Sequence, residues 1–251
     1  MNDNSKNYQP TREVEELKPA LPFSFVLGWI LMIVVGVVLF TIALPSAFPQ
    51  LQLSLLGDKP KAFWFLSRSS AFAAFGLLWL SMVFGLLITN KLARMWPGGP
   101  TAFDMHQYVS LLGLGFMLFH ALILLGDQFI HYSLFQLLVP FASDNYQLLP
   151  VAWGQIALYI ALLVSLSFYV RRTISQRSWR LIHYLSFALY LLALIHGLWS
   201  GTDSTTSWSQ AIYWFSSGSL LFLTVYRILS KYVVQPRKTV DRSTPAEPKP
   251  F

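Results

Sequence analysis

Residues 105–126 read MHQYVSLLGLGFMLFHALILLG. A bilayer hydrocarbon core of roughly 30 Å is crossed by about 20 helical residues. This run meets that length without a single Asp, Glu, Lys or Arg. Lipid offers no partner to an unpaired backbone amide, so a helix is the structure such a run takes. The in–out alternation of a barrel strand is absent. The same run holds His106 and His120, two of the chain's five histidines.

Five further stretches meet the same length without an Asp, Glu or Lys in their interior, and the six predicted spans run near 23–44, 69–89, 105–126, 150–170, 179–200 and 210–230. Proline and glycine separate them: Pro45 and Pro49 follow the first, Trp96-Pro97-Gly98-Gly99-Pro100 lies between the second and third, and Pro150 opens the fourth. Several tryptophans, among them Trp64, Trp96, Trp153 and Trp179, fall near predicted ends, as an aromatic belt does. The first run follows about twenty polar residues and is longer than the apolar part of a signal peptide, so it reads as a span rather than a segment cleaved near Ala43 to Ala47.

Composition agrees. Only 12% of the 251 residues are charged and 55% are hydrophobic, against about 25% charged for a soluble domain. The net charge of +7 does not argue for nucleic acid, because the basic residues flank apolar runs and form no separate basic domain; anionic headgroups and topology account for them. With no cysteine, disulfides, thiolate metal sites, Cys-ligated clusters and a Cys nucleophile are excluded. No Gly-rich phosphate loop, Ser/His/Asp arrangement or metalloprotease motif is present.

Lysine and arginine set the expected orientation. The N-terminal segment (Lys6, Arg12, Lys18), the 90–104 loop (Lys91, Arg94), the 171–180 loop (Arg171, Arg172, Arg177, Arg180) and the C-terminal end, from Arg227 on, fall on one side and hold 15 of the 18 basic residues. The other side has Lys59, Lys61 and Arg68. The expectation is an all-α integral membrane bundle of six helices with both termini cytoplasmic. It comprises an N-terminal segment 1–22, a transmembrane domain 23–230 and a disordered tail 231–251, in a plasma or inner membrane. Nothing after the sixth span is long enough to fold into a nucleotide-binding unit.

Four histidines lie within two spans: His106 and His120 on the third, His183 and His196 on the fifth. Both spans run from cytoplasm outward, so His106 and His183 share the cytoplasmic level while His120 and His196 share the outer one. At 1.5 Å per residue the levels stand roughly 20 Å apart. Ionisable residues inside a membrane are costly and mark function. Iron in a b-type haem accepts an axial imidazole on each face, which two facing helices can supply from one depth. Two haems stacked in this way would carry electrons across the bilayer.

A different class of function, a proton or metal-ion path through a transporter, also uses intramembrane histidines, but it calls for carboxylates that the predicted span interiors lack. Geometry leaves one point open. A step of 14 residues returns within about 40° of the starting face, whereas a step of 13 misses by about 140°. Either the fifth span is irregular, or its two histidines serve different sides of it.

Gly113 and Gly115, between the third-span histidines, admit either close helix packing or a bulky group. Phe116, Phe119, Phe187 and Tyr190 suit a porphyrin face or an ordinary core. Arg68, at the outer end of the second span, suits a haem propionate or snorkelling to headgroups. Arg171, Arg172, Arg177 and Arg180 suit the inner haem, a cytosolic donor or topology alone. His131 is an outer-loop residue available for an acceptor metal or a proton. Asp127, Asp144 and Asp203 lend the outer side a mild negative character.

The spacing His106-x13-His120 and His183-x12-His196 resembles the ferric reductase-like transmembrane domain shared by ferric reductases and the haem core of NADPH oxidases. The context around it agrees: Trp179-Arg180-Leu181-Ile182-His183-Tyr184, Leu194-Ile195-His196-Gly197, and Ser67-Arg68-Ser69-Ser70 through Gly85-Leu86. The resemblance covers about residues 60–230. It implies two haem b groups ligated by His106 with His183 and by His120 with His196, and an oxidoreductase that passes electrons from a cytoplasmic donor to an extracytoplasmic acceptor. Without the family's flavin and nicotinamide domain, the expected donor is a separate flavoprotein reductase or a quinol. Ferric species are the default acceptor. Dioxygen and a partner protein remain alternatives, the latter making the chain similar to the haem membrane subunit of the methionine sulfoxide reductase system.

Overall fold

The computed structural model describes residues 19–47, 62–127, 130–143 and 146–233. Lys6, Arg12, Lys18, Pro49, Lys59, Lys61, Asp144 and the segment 234–251 lie outside them.

Six long apolar helices make this a multi-pass membrane bundle, with no strand among the described residues. They are α1 (Phe23–Ala47), α2 (Ala62–Thr89), α3 (Gly99–Leu122, carried on by a 3-10 turn Ile123–Gly126), α5 (Leu148–Val170), α6 (Gln176–Ser200) and α7 (Ser207–Val233). A short helix, α4 (Leu134–Leu138), lies between α3 and α5.

Several boundaries depart from the sequence reading, each for an identifiable reason. The predicted second span stopped short of a charge at position 68, but α2 extends back to Ala62 with Arg68 in its second turn, where Asp203 neutralises the guanidinium. The third helix begins at Gly99 rather than 105, because Pro100 occupies its first turn, where a missing N–H costs nothing. The same holds for Pro150 in α5. Ser175 caps α6 by accepting from the Ser178 amide at 3.2 Å. Helix α4 was not anticipated, although Ser133 and Gln136 form a complete capping box.

Lipid tails are as apolar as leucine, so the helices associate through close packing and hydrogen bonds rather than by hiding from solvent. Large side chains accordingly face outward, with Met32 and Leu221 about two-thirds exposed. Helices α2 and α3 pack along one another, as do α5 and α6, and the two pairs face each other across the bundle centre. On α3, Gly115 admits Trp29 of α1: a Cβ there would sit 2.5 Å from the indole. Gly113 meets Leu77 of α2 and also borders the cavity beside His106, so packing accounts for Gly115 and only in part for Gly113. Helix α7 docks through hydroxyls and rings. Trp79 Nε1 donates to Ser219 at 2.9 Å, Tyr190 donates to Ser216 at 3.0 Å, and the Phe75 ring meets Tyr213 edge-on with centroids 5.3 Å apart.

Candidate haem-binding site

Helix α3 carries His106 and His120, and α6 carries His183 and His196. Across the bundle the His106 and His183 ring centroids stand 6.1 Å apart, at 76°. Those of His120 and His196 stand 6.0 Å apart, at 69°. The four residues are thus brought together as two pairs at two depths. The gap between the rings of each pair would let one bound metal take a nitrogen from either side.

The rings are held from behind. His106 Nδ1 donates to the Ser81 carbonyl at 2.9 Å, His120 Nδ1 to the Ser67 carbonyl at 2.8 Å, and His196 Nδ1 to the Pro150 carbonyl at 2.8 Å. A carbonyl only accepts, so Nδ1 carries the proton in these three rings and Nε2 keeps its lone pair for a metal. Ser67 also returns a hydrogen bond from its hydroxyl to the His120 carbonyl at 3.0 Å. His183 is oriented differently, its ring stacked on Trp179 one turn earlier, with centroids 5.3 Å apart.

Helix α6 is uninterrupted. The off-face step therefore comes from two side chains leaving a regular helix in different directions. His196 reaches the start of α5, where Gly154 in the second turn makes room: a Cβ at that position would lie 2.7–2.9 Å from three ring atoms. The sequence reading missed Gly154, Ser67, Ser81 and the Pro150 carbonyl. A glycine inside a span was the one available signal, and it named no partner.

Each pair opens into a mostly apolar cavity, of about 200 Å³ at the outer level and 440 Å³ at the inner. Leu78, Met117 and Leu189 line both cavities and form the partition between them. The inner wall bears Arg180 and Arg227, and no Asp or Glu. It also holds Gln107 Nε2 and Trp179 Nε1, buried donors without an acceptor. Buried donors are rarely left unpaired, so this wall suits a ligand that brings anionic oxygens. Phe187 lies in the same wall, whereas Phe119 belongs to the core beside α1.

Arg68 is on the outer cavity wall, ion-paired with Asp203 and with its Nε 2.9 Å from the same carboxylate. Asp127 is buried, and its carboxylate accepts from the Ile130 amide at 2.9 Å. Arg68 offsets the charge of Asp203, and Asp127 is held beneath the surface rather than presented on the outer face. Arg171 is buried with its guanidinium 3.9 Å from the Phe168 ring; of the four arginines in that loop region, Arg180 lines the inner cavity. His131 is exposed, in a left-handed conformation.

Among the described residues no three of His, Cys, Asp and Glu gather to hold a metal ion. Each imidazole pair thus supplies two ligands and no more. A bare ion needs about four donors; a porphyrin iron needs two axial ones. Paired imidazoles, apolar slots and unpartnered donors fit the porphyrin. Comparison with family models, with curated proteins and with solved structures gives no match.

Proposed function

We propose that this chain is the membrane core of an electron-transfer system, holding one b-type haem between His106 and His183 and another between His120 and His196. The observation that carries the reading is the pairing of four imidazoles, at 6.1 and 6.0 Å, on two facing helices. Bound there, the haems supply one-electron carriers at two depths of an insulating layer.

The chain's own residues perform the rest. Backbone carbonyls of Ser81, Ser67 and Pro150 fix the tautomer and aim Nε2. Apolar walls exclude water, and Leu78, Met117 and Leu189 keep the two sites apart while leaving only side-chain thickness between them. Arg180, Arg227, Trp179 and Gln107 offer positive charge and N–H groups to propionates at the inner level. Arg68 can do the same at the outer level only by sharing its guanidinium with Asp203.

The histidine spacing, with its resemblance to ferric reductase-like domains, supports the same reading. So does the asymmetry of basic residues, which puts the His106–His183 pair at the cytoplasmic side. On this reading electrons enter from a separate flavoprotein reductase or a quinol. They leave to a ferric species by default, or to dioxygen or a periplasmic reductase such as a methionine sulfoxide reductase. The test is optical and chemical. Purified protein should show reducible b-type bands at about two haems per chain. Colourless protein that moves a metal ion or protons would replace this reading with transport.

A further inference from the structure

We infer that residues 130–143 form a re-entrant segment whose exposed apolar side lies among the acyl chains of the leaflet that holds the His120–His196 pair. The segment contains α4 and has no Asp, Glu, Lys or Arg. Leu134, Phe135, Leu138, Val139 and Phe141 are 38–66% exposed. In water these five would form the kind of contiguous apolar patch that soluble surfaces avoid.

The anchors set the depth. Gln155 Nε2 donates to the carbonyls of Gln136 and Leu137 at 2.7 and 2.8 Å, and the Tyr159 hydroxyl donates to the Leu138 carbonyl. Gln155 and Tyr159 lie seven and eleven residues into α5, about 10 and 16 Å along its axis. Side chains lean toward a helix's N-terminal end, which here is the outer one. Even so, these hydrogen bonds fall below the start of the span. A short helix leaves its last carbonyls unpaired, and at membrane depth no water satisfies them; Gln155 and Tyr159 do so instead. The opposite side of the segment faces inward, where Ile130, Tyr132 and Leu137 are buried and line the outer cavity. The segment is therefore the wall between that cavity and lipid.

The absence of cysteine makes the test direct. Phe135→Cys and Leu138→Cys, both at exposed positions, are spin-labelled and placed in phosphatidylcholine nanodiscs. Collision with dioxygen and with a water-soluble nickel chelate is then compared with Leu39→Cys, on the lipid face of α1, and Arg177→Cys, exposed in the first turn of α6. Both labels should lose chelate access to the level of Leu39→Cys while keeping access to dioxygen, and adding Gln155→Leu should restore part of the chelate access. Chelate access equal to that at Arg177→Cys overturns the inference. So does exclusion of both reagents with dipolar broadening, which would mean that a second copy covers the patch. No response to Gln155→Leu overturns the anchoring that sets the depth. None of these outcomes depends on whether haem is bound.

Discussion

Gly154→Ala isolates the outer site with one methyl group. The added Cβ would lie 2.7 Å from His196 Nδ1 and 2.8 and 2.9 Å from two ring carbons. To reach an ordinary contact near 3.4 Å the ring must retreat by about 0.7 Å. That retreat pulls Nδ1 against its 2.8 Å hydrogen bond to the Pro150 carbonyl. Overpacking of this kind costs about 1–3 kcal/mol, and a weakened hydrogen bond adds about 1 kcal/mol. The substitution itself favours the helix by about 1 kcal/mol, so the loss is confined to the ring. A misplaced ligand of this order corresponds to roughly 10–100-fold in affinity. Gly85→Ala is the matched control: its Cβ meets His106 Cε1 at 3.4 Å, an ordinary contact. Haem content by pyridine haemochrome and a redox titration should show Gly154→Ala falling from two haems toward one, with Gly85→Ala unchanged. A Gly154→Ala protein with two haems and unaltered midpoint potentials would refute the geometry on which the outer site rests.

Further outcomes follow from the same contacts. Replacing His106 or His183 by Ala should remove one haem, and replacing His120 or His196 should remove the other; a double variant within one pair should lose no more than either single one, as haem stoichiometry shows. Arg227→Gln removes a positive charge from the inner cavity wall and should lower the inner midpoint potential by tens of millivolts, on the order of 1–2 kcal/mol at an effective dielectric near 20. Asp203→Asn breaks an ion pair with Arg68 whose side chains are only 28% and 22% exposed, and should lower thermal stability in detergent by more than the roughly 1 kcal/mol of an exposed pair. Burial raises the pKa of the Tyr146 phenol above its usual 10.0, with Arg68 opposing, so the folded protein keeps its proton where the unfolded chain has lost it. Stability from this group is full below about pH 10 and declines as pH rises through the folded value, and alkaline unfolding of Tyr146→Phe should show a shallower loss.

Where the spans lie and at what depth the histidines sit were legible in the sequence. Apolar length measures a membrane crossing, and the helical rise turns residue number into depth; both are properties of one segment alone. For that reason the two-level arrangement could be read from positions 106, 120, 183 and 196 before any contact was known. Arg68 shows the limit of such reading. Its charge cut the second span short, because its partner Asp203 lies 135 residues away.

Rotation of each helix about its axis, and what stands opposite each face, came only with the tertiary structure. Nothing local distinguishes Gly154, cleared for the His196 ring, from Gly76, which has nothing within 4 Å. Nor does spacing reveal which carbonyl will hold a given imidazole, that Trp179 lies flat on His183, or that Gln155 and Tyr159 draw α4 down along α5. Depth is additive along a chain. Azimuth and partnership depend on how six helices settle against one another, and no single stretch of residues carries that information.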